Sequence, residues 1–242
     1  MNILQSLIAF NRREQFRPGI VGLFINANYF IKGGIYKGVK RNAHRLSGRL
    51  LDFGCGNKPY QDLFRVDEYI GLDIENEAHD HSQEHIEVLY DGKQIPFADG
   101  HFDSVFSSEV FEHVFNLDDV LGEISRVIKS NGQLLITLPF VWQEHEKPND
   151  FARYTSFGIR HLLDKHGFNV EVHERSSTFI QTCAQISLAY LYSSILGKHV
   201  LLRTLVAPLF IFPINLLSLV LSALLPNNPD LYLNHIIVAR KR

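Results

Sequence analysis

The sequence predicts an α/β protein with a doubly wound parallel sheet. From residue 49 onward, short apolar segments of strand length alternate with segments in which apolar residues recur at helical spacing. Strands that alternate with helices form parallel sheets covered by helices on both faces. Apolar residues make up 45% of the 242 residues, which suffices for a full core and excludes wholesale disorder. The length suits one α/β domain with a small appendage.

Seven segments have the length and composition of strands: 49–53, 69–73, 87–90, 102–107, 133–138, 169–173 and 235–240. Two helices are predicted between them, over 117–128 and 155–166, with Asn131-Gly132 and Gly167 as their stop signals. A further helix is expected to start just after the loop that follows the first strand. The carboxyl ends of such strands share one edge of the sheet, where ligands bind in open α/β folds.

Charge and hydropathy divide the chain into three predicted parts. Residues 1–49 hold nine Lys and Arg against one acid, Glu14, although the net charge of the chain is −2. We predict a basic, partly helical N-terminal extension over 1–48, a domain over 49–177 and 231–242, and an apolar helical insertion over 178–230. The basic arm favours an anionic partner such as a membrane surface, a phosphorylated substrate or nucleic acid, with a merely solubilising surface as an equal alternative.

Cys55 and Cys183 are the only cysteines, too few for a disulfide framework or a four-ligand zinc site, so we expect a reducing compartment. No positive segment precedes the apolar run 3–10, so we expect no signal peptide and a cytoplasmic location. The histidines lack the spacing of a metal-binding helix, and His79, His81 and His85 have no cysteine cluster beside them. No metal is therefore expected.

The first strand runs into the loop Asp52-Phe53-Gly54-Cys55-Gly56. Two glycines let the backbone approach a ligand closely, because a Cβ there would collide with it. A dinucleotide fingerprint would need a third glycine where Pro59 stands, which argues against a pyrophosphate-containing ligand. Taken alone, the loop is also compatible with a plain tight turn.

Further motifs accompany this loop. Asp73 ends the second strand, where a carboxylate can accept both hydrogen bonds from a ribose diol or cap a helix. The segments DGKQIPFADGHFD, SSEVFEHV and RVIKSNGQLLITLPF follow in turn. With LLDFGCG and GLD, their order and spacing over about residues 49–175 resemble the class I S-adenosylmethionine-dependent methyltransferases, in the branch of ubiquinone-type and small-molecule enzymes.

The resemblance implies a Rossmann-like sheet of seven strands, mostly parallel with an antiparallel last strand, and S-adenosyl-L-methionine as the cofactor. It also implies the cofactor-binding residues. These are Asp52, Phe53, Gly54, Cys55 and Gly56 around the methionine part, Asp73 with Ile74 at the ribose, Asp91 with Gly92 at the adenine amino group, and Ser108 and Glu109 near the methionine end. The family shares no common catalytic residue, so the resemblance assigns none.

Candidate catalytic residues lie in PFVWQEHEKPNDFARYT, after the fifth strand: His145, Asp150, Arg153 and Tyr154. Methyl transfer needs aligned reactants and excluded water, and a base only when the acceptor loses a proton. His145 is the best base because its pKa is ordinarily near neutrality. Arg153 could clamp a carboxylate or phosphate, or form with Asp150 an ion pair that only orders the loop. The pair Glu112-His113 is a second candidate, with a structural role favoured.

The apolar insertion contains no charged residue from 204 to 225, a run long enough to span a bilayer. Pro208 and Pro213 are expected to kink or break a helix there. The sixth and seventh strands flank the insertion and are neighbours in this fold, so the chain must leave and return on one side, which excludes a single crossing. We predict peripheral, monotopic membrane association through 179–225, with a homodimer interface as the alternative.

The predicted function is methyl transfer to a small-molecule, glycan or lipid-linked acceptor at a membrane surface. A non-catalytic Rossmann-like binding or scaffold protein is the first alternative. A nicotinamide-dependent oxidoreductase is disfavoured by Pro59. Nucleic acid is not expected as a partner, because SSEVFEHV lacks a base-flipping motif after the fourth strand.

Overall fold

A computed structural model describes residues 10, 13–74, 86–195 and 200–242. Most of the run 3–10, the three histidines at 79, 81 and 85, and Lys198 lie outside the described residues. The chain forms two compact units. We call Met1–Lys37 with Arg175–Asn234 the helical unit, and Gly38–Glu174 with His235–Arg242 the sheet unit. The three-part division drawn from the sequence stays a prediction.

Seven strands form one sheet in the order β3-β2-β1-β4-β5-β7-β6. The strands are β1 Arg49–Phe53, β2 Glu68–Ile74, β3 Val88–Tyr90, β4 Phe102–Ser108, β5 Ile128–Pro139, β6 Phe168–Arg175 and β7 Asn234–Lys241. Strands β1 to β5 pair in parallel. The amide of Arg242 donates to the carbonyl of Gly167 and that of Ser176 to Asn234, as antiparallel pairing of β6 with β7 requires. The predicted fold class, with its antiparallel end of the sheet, is confirmed.

The α-helices are α1 Gly22–Ile25, α2 Tyr29–Asn42, α3 Leu117–Val127, α4 Ser156–Lys165, α5 Phe179–Tyr190 and α6 Val200–Leu224. Helix α3 buries the face predicted for it, which includes Leu121 and Ile124 in the core of the sheet unit. Helix α4 starts where the Thr155 hydroxyl accepts a hydrogen bond from the amide of Gly158, a standard N-cap. Both predicted helices are therefore present, within about one residue of the expected bounds.

The prediction of a helix after the first loop was wrong. Only a short 3₁₀ turn, Gln61–Leu63, lies in the connection from β1 to β2. The residues just before this turn explain why no α-helix forms. Lys58 has a φ of 48° and precedes Pro59, and a proline disfavours the α-helical conformation for the residue before it.

Asn131-Gly132 does not end a helix either. Helix α3 ends at Val127, and β5 already begins at Ile128. The pairing of β4 with β5 shifts register between Phe102 and Ser104, so Asn131, with a φ of 65°, belongs to an irregularity in the strand.

In the helical unit, α6 continues through both Pro208 and Pro213, so the break considered for these positions does not occur. A proline has no N–H to donate to the carbonyl four residues earlier, yet the residues on either side of both prolines remain helical. No helix in the described part of the chain is long and apolar enough to cross a membrane.

Polar side chains organise the helical unit. Thr178 and Gln181 form a reciprocal capping box at the start of α5. The amide side chain of Gln185 accepts hydrogen bonds from the main-chain N–H groups of Phe30 and Ile31 and donates to the carbonyl of Ala27. Gln185 thereby satisfies donors in the first turn of α2 that have no partner within the helix.

Candidate active site

The cofactor-binding residues predicted from the sequence follow the carboxyl ends of four neighbouring strands. They lie in or directly after β1, β2, β3 and β4, which are adjacent and parallel in the order β3-β2-β1-β4. The order of strands reverses between β1 and β4. Open α/β sheets bind their ligands at such a reversal, outside the carboxyl ends of the strands. The topology thus brings the predicted residues to one edge of the sheet.

The two glycines after β1 have different roles. Gly54 has a φ of 71°, and a Cβ at this position would lie 2.4 Å from a methyl carbon of Val110. Gly56 has a φ of 43°, and a Cβ there would have no atom within 4 Å. Packing within the protein therefore requires Gly54, whereas Gly56 borders open space that a ligand can enter.

Asp73 links the end of β2 to this loop. Its Oδ2 atom accepts a hydrogen bond from the amide of Gly56 at 2.8 Å, and its Oδ1 atom accepts one from Ile74, also at 2.8 Å. The carboxylate is half-buried. Each oxygen has capacity for a further donor, as recognition of two ribose hydroxyls requires.

Three side chains of the loop point into the protein. Phe53 and Cys55 are buried, and burial raises the pKa of the Cys55 thiol. Asp52 is only 3% exposed and accepts a hydrogen bond from the hydroxyl of Tyr69. Burial raises the pKa of Asp52 to about 7, against the opposing effect of that hydrogen bond. These three residues can reach a ligand at this edge mainly through their main-chain groups.

Asp91 and Gly92 follow β3. The exposed Asp91 carboxylate accepts hydrogen bonds from the amides of Lys93 and Gln94, which lower its pKa. Gly92 has a φ of 78° and lines a cavity of about 310 Å³ together with Ile74. The other lining residues are Tyr90, His113, Val114, Phe115, Asn116, Val120, Glu146, Asn149 and Phe151. A second cavity, of about 540 Å³, is lined by Asp91 and residues near it.

Ser108 ends β4, Glu109 follows it, and both join a short hydrogen-bonded chain. The Ser108 and Thr137 hydroxyls lie 2.8 Å apart, and the Thr137 hydroxyl donates to Glu109 at 2.9 Å. Glu109 has a φ of 58°, a strained conformation for a residue with a side chain. Sequence reasoning missed Thr137, whose place beside this turn follows from the pairing of β4 with β5.

The loop after β5 is ordered around Asp150. This carboxylate forms a bidentate ion pair with Arg153, with N–O distances of 2.6 and 2.8 Å, and accepts the amide of His145. The Arg153 guanidinium holds the pKa of Asp150 well below its usual range. Arg153 also donates to the carbonyls of Ala152 and Gln143. The ion pair considered as the alternative to a substrate clamp is thus present.

Tyr154 lies at the end of this loop and is half-buried, which raises the pKa of its phenol. Its main-chain carbonyl accepts a hydrogen bond from Nε2 of the buried His235, whose Nδ1 lies 2.8 Å from His173. Because a carbonyl only accepts, Nε2 of His235 carries the proton. This histidine pair on β6 and β7 fixes the main chain at Tyr154.

A carboxylate and two imidazoles meet beside the loop. Glu112 is fully buried, and neither oxygen of its carboxylate has a hydrogen-bond partner among the described residues. Its Oε1 atom lies 3.7 Å from Nε2 of His113 and 3.9 Å from Nε2 of His145. Burial, with the nearby charge of Glu109, raises the pKa of Glu112 well above its usual range. Burial and His113 lower the pKa of His145.

Main-chain hydrogen bonds hold the loop against this cluster. The carbonyl of Glu112 accepts the amides of Phe151 and Ala152. The two residues that the sequence offered as a second candidate pair therefore join His145, one of the first candidates. The sequence did not predict this contact, because Glu112 and His145 are far apart along the chain. Only the structure shows that the Glu112 carboxylate lacks a hydrogen-bond partner among the described residues.

Comparison with known proteins finds similarity to methyltransferases in both sequence and fold. The family described as "Methyltransferase domain" matches residues 51–136. A malonyl-(acyl-carrier protein) O-methyltransferase of Legionella pneumophila is 30% identical over 164 residues, which cover 58% of this chain and 58% of that relative. The chain thus matches less than two thirds of the length of this curated relative.

Solved structures share the fold. A methyltransferase from Mesorhizobium loti described as S-adenosylmethionine-dependent aligns with a TM-score of 0.53 at 13% identity, over 88% of this chain and 100% of that one. Phosphoethanolamine N-methyltransferase 2 of Haemonchus contortus, solved with S-adenosyl-L-methionine, gives 0.52 at 19% identity, over 96% of this chain and 59% of that one. The 4+2 cyclase SpnF aligns with a TM-score of 0.52 at 19% identity, over 87% of this chain and 81% of that one.

These matches confirm the resemblance drawn from the sequence motifs. They agree with the observed mixed sheet of seven strands. Residues 51–136 match the family described as "Methyltransferase domain", and the chain shares its fold with solved methyltransferase structures.

Proposed function

We propose that the protein is an S-adenosylmethionine-dependent methyltransferase whose cofactor lies along the carboxyl ends of β3, β2, β1 and β4. The observation that carries the proposal is the hydrogen bond between Asp73 and the amide of Gly56, which joins the ribose-binding acid to the glycine loop. Open space at Gly56 and the cavity of about 540 Å³ lined by Asp91 provide room for a nucleoside. The residues present therefore fit the cofactor.

S-adenosylmethionine, when bound, supplies a methyl group on a positively charged sulfur. The chain must align the acceptor with that methyl group and keep water out. In this proposal Asp73 binds the ribose, Asp91 and Gly92 lie at the adenine, and Ser108 and Glu109 lie near the methionine end. The loop from His145 to Tyr154 forms the acceptor side, with Asp150 and Arg153 fixing its conformation through their ion pair.

The rim of the smaller cavity suits an acceptor with an apolar part. Phe115 is 83% exposed and Phe151 is 47% exposed, and their rings meet edge to face at 5.4 Å. Exposed aromatic side chains at a cavity mouth are typical of ligand contacts. A small-molecule, glycan or lipid-linked acceptor with an apolar segment could pack against these two rings.

Calorimetric titration with S-adenosylmethionine tests the cofactor site. We expect wild-type protein to bind, and Asp73→Ala to weaken binding by one or more orders of magnitude, or roughly 1.5–3 kcal/mol for hydrogen bonds to a charged group. Glu68→Ala is the matched control, because Glu68 is an exposed acid at the opposite end of the same strand, paired with Arg49.

Three outcomes are informative. Absence of binding by the wild-type protein would contradict the proposal. Equal weakening by Glu68→Ala would assign the effect to β2 as a whole rather than to Asp73. Binding without transfer of a labelled methyl group to any acceptor in lysate would favour the alternative of a non-catalytic binding protein.

We further propose that the helical unit associates with a lipid surface. Along α6, the exposed side chains include Leu209, Leu217 and Leu224, at 70%, 58% and 74% exposure. The buried face of the same helix contains Asn215 and Ser218. A helix that buries polar groups and exposes leucines is suited to apolar surroundings.

Charge favours lipid as the occupant. Exposed basic residues of the helical unit, Arg13, Lys37 and Arg175 among them, can meet anionic headgroups while the leucine face enters the interface. A second copy of the chain could also cover this face, so the test must distinguish the two.

Cosedimentation with vesicles provides that test. We expect binding to vesicles of phosphatidylcholine mixed with phosphatidylglycerol, weaker binding to phosphatidylcholine alone, and loss of binding in Leu217→Ser combined with Leu224→Ser. Phe157→Ser is the matched control, because Phe157 is an equally exposed apolar residue in the sheet unit. The membrane proposal would be contradicted if the protein bound neither kind of vesicle and instead formed a dimer that is lost in the double variant.

A further inference from the structure

We propose that Glu112, His113 and His145 form a binding site for a divalent transition-metal cation, Zn²⁺ in the first instance. One ligand atom from each residue lies within 4.8 Å of the other two. The sequence predicted no metal because these residues do not follow a known ligand spacing. The fold brings them together from the turn after β4 and from the loop after β5.

The buried carboxylate favours a bound cation. Glu112 has no exposed surface, and both of its oxygens lack a hydrogen-bond partner within the described part of the chain. Leaving a buried polar group unpaired is costly whether it is charged or neutral, and such groups in native proteins call for a bound ion or water. A cation between Glu112 and the two imidazoles would satisfy this carboxylate.

The hydrogen bonds of the two imidazoles also favour metal binding. Nδ1 of His113 lies 2.6 Å from the main-chain carbonyl of Asn149 and must donate to it. Its Nε2 atom, 3.7 Å from Glu112, therefore presents a lone pair. A metal-binding histidine usually has this arrangement, with the other ring nitrogen donating to a carbonyl or carboxylate.

His145 can adopt the same arrangement. Its Nδ1 atom lies 3.3 Å from Oδ2 of Asp150 and 3.4 Å from a nitrogen of Arg153. Metal binding selects the tautomer in which Nδ1 donates to the carboxylate, leaving the Nε2 lone pair facing Glu112. In that state the nitrogen cannot accept a proton, so this proposal replaces the role of general base predicted for His145.

Distances and ligand types favour a first-row cation. Ligand atoms around a tetrahedral Zn²⁺ stand about 3.3 Å apart, given bonds of about 2.0–2.1 Å. The separations of 3.7 and 3.9 Å, with all three ligand atoms within 4.8 Å of one another, require an inward movement of His145, which lies on a loop. Two imidazoles with one carboxylate suit Zn²⁺ and neighbouring metals rather than Mg²⁺ or Ca²⁺.

Three protein ligands leave a coordination position for another group. Glu146 approaches His113 to 3.6 Å, but its side chain is 55% exposed, and both residues line the cavity of about 310 Å³. An oxygen of the methyl acceptor could displace water or Glu146 there. This step rests on the proposed methyltransferase function, and it points to a hydroxyl acceptor.

Metal binding would ease deprotonation of such a hydroxyl. The oxygen then forms the new bond to the methyl carbon as the bond from that carbon to sulfur breaks. Sulfur retains the electron pair, and the hydroxyl proton leaves to solvent. The acceptor class is therefore an alcohol or phenol.

Titration with Co²⁺, followed by its visible absorption, tests the site without any need for activity. We expect wild-type protein to bind one equivalent with the spectrum of a nitrogen- and oxygen-ligated ion, and Zn²⁺ to displace it. Glu112→Gln, which preserves the shape of the side chain, and His113→Ala should each weaken binding by roughly 100-fold or more. His161→Ala is the control, because His161 is exposed on α4.

Zn²⁺ should also raise the melting temperature of the wild-type protein but not of a folded Glu112→Gln variant. Equal Co²⁺ affinity in the wild type and Glu112→Gln, or no binding at all, would overturn the proposal. Titration with S-adenosylmethionine in the presence of a chelator keeps the two claims separate. Cofactor binding without metal binding refutes the metal site alone, and metal binding without cofactor binding refutes the methyltransferase proposal alone.

Discussion

In the sheet unit, helix α3 buries apolar side chains such as Leu121 and Ile124 and turns its charged residues outward. In the helical unit, α6 buries the polar Asn215 and Ser218 beside the apolar Ile211 and exposes leucines. The first pattern is that of a helix between a core and water, whereas the second has polar residues in its buried face and apolar residues on its exposed face. The contrast indicates that the two units are built for different surroundings, although one chain encodes both.

The same substitution in both units gives the largest expected difference. Leu121→Ala should lower the free energy of unfolding of the sheet unit by about 3–5 kcal/mol, because it leaves a cavity in a closed core. Leu217→Ala should change stability by less than about 0.5 kcal/mol in buffer, because that side chain is already exposed. Urea unfolding followed by circular dichroism measures both, and comparable losses would contradict the contrast between the units.

The contrast also explains how far the sequence predicted the fold. Period and composition located the seven strands and the helices α3 and α4, because each buries apolar side chains, although β5 begins at Ile128 rather than at the predicted residue 133. Local backbone chemistry was harder to read. Lys58, which has a positive φ and precedes Pro59, lies where a helix was predicted to begin. Asn131, predicted to end a helix, lies in an irregular part of β5.

In the candidate site, too, some contacts could be predicted from the sequence and others could not. Motif order sufficed to place Asp73 and Gly56 at one edge, because parallel strands bring successive loops together. The approach of Glu112 to His145 depends on how the loop after β5 folds back, with Phe151 hydrogen-bonded to the carbonyl of Glu112. No periodicity encodes a contact of that kind, so it emerged only from the structure.

A buried acid in the sheet unit gives the second prediction. The pKa of Asp52 rises from 3.8 to about 7 on folding because burial disfavours the charge. Below pH 4 both states are protonated and the group has no effect. Between pH 4 and 7 the carboxyl group of Asp52 ionises in the unfolded chain but stays protonated in the folded one. The free energy of unfolding therefore falls as pH rises, by up to roughly 4 kcal/mol, and stays low above that range.

Asp52→Asn keeps an acceptor for Tyr69 and removes the titration. The wild type should therefore lose stability relative to the variant between pH 5 and pH 8. Urea unfolding at both pH values, followed by the fluorescence of Trp142, the only tryptophan and part of the sheet unit, measures this. A stability difference that stays constant over the range would show that Asp52 is ionised throughout and that its burial is compensated.

The third prediction concerns the polar interior of the helical unit. Gln185 satisfies two main-chain donors and one acceptor, at Phe30, Ile31 and Ala27. Gln185→Met has a similar shape but leaves these buried groups unpaired, which should cost about 2–3 kcal/mol. Hydrogen exchange of peptides covering Phe30 and Ile31 should accelerate accordingly.

Ser187→Ala is the control on the same helix, since Ser187 is exposed and bonds only within the turn, to Cys183. It should leave exchange in that peptide unchanged. If Gln185→Met exchanges as slowly as the wild type, the buried polar side chains of the helical unit do not hold it together. Its stability would then have to come from the apolar contacts around Leu188 and Ile211, and the contrast between the two units would be one of surface alone.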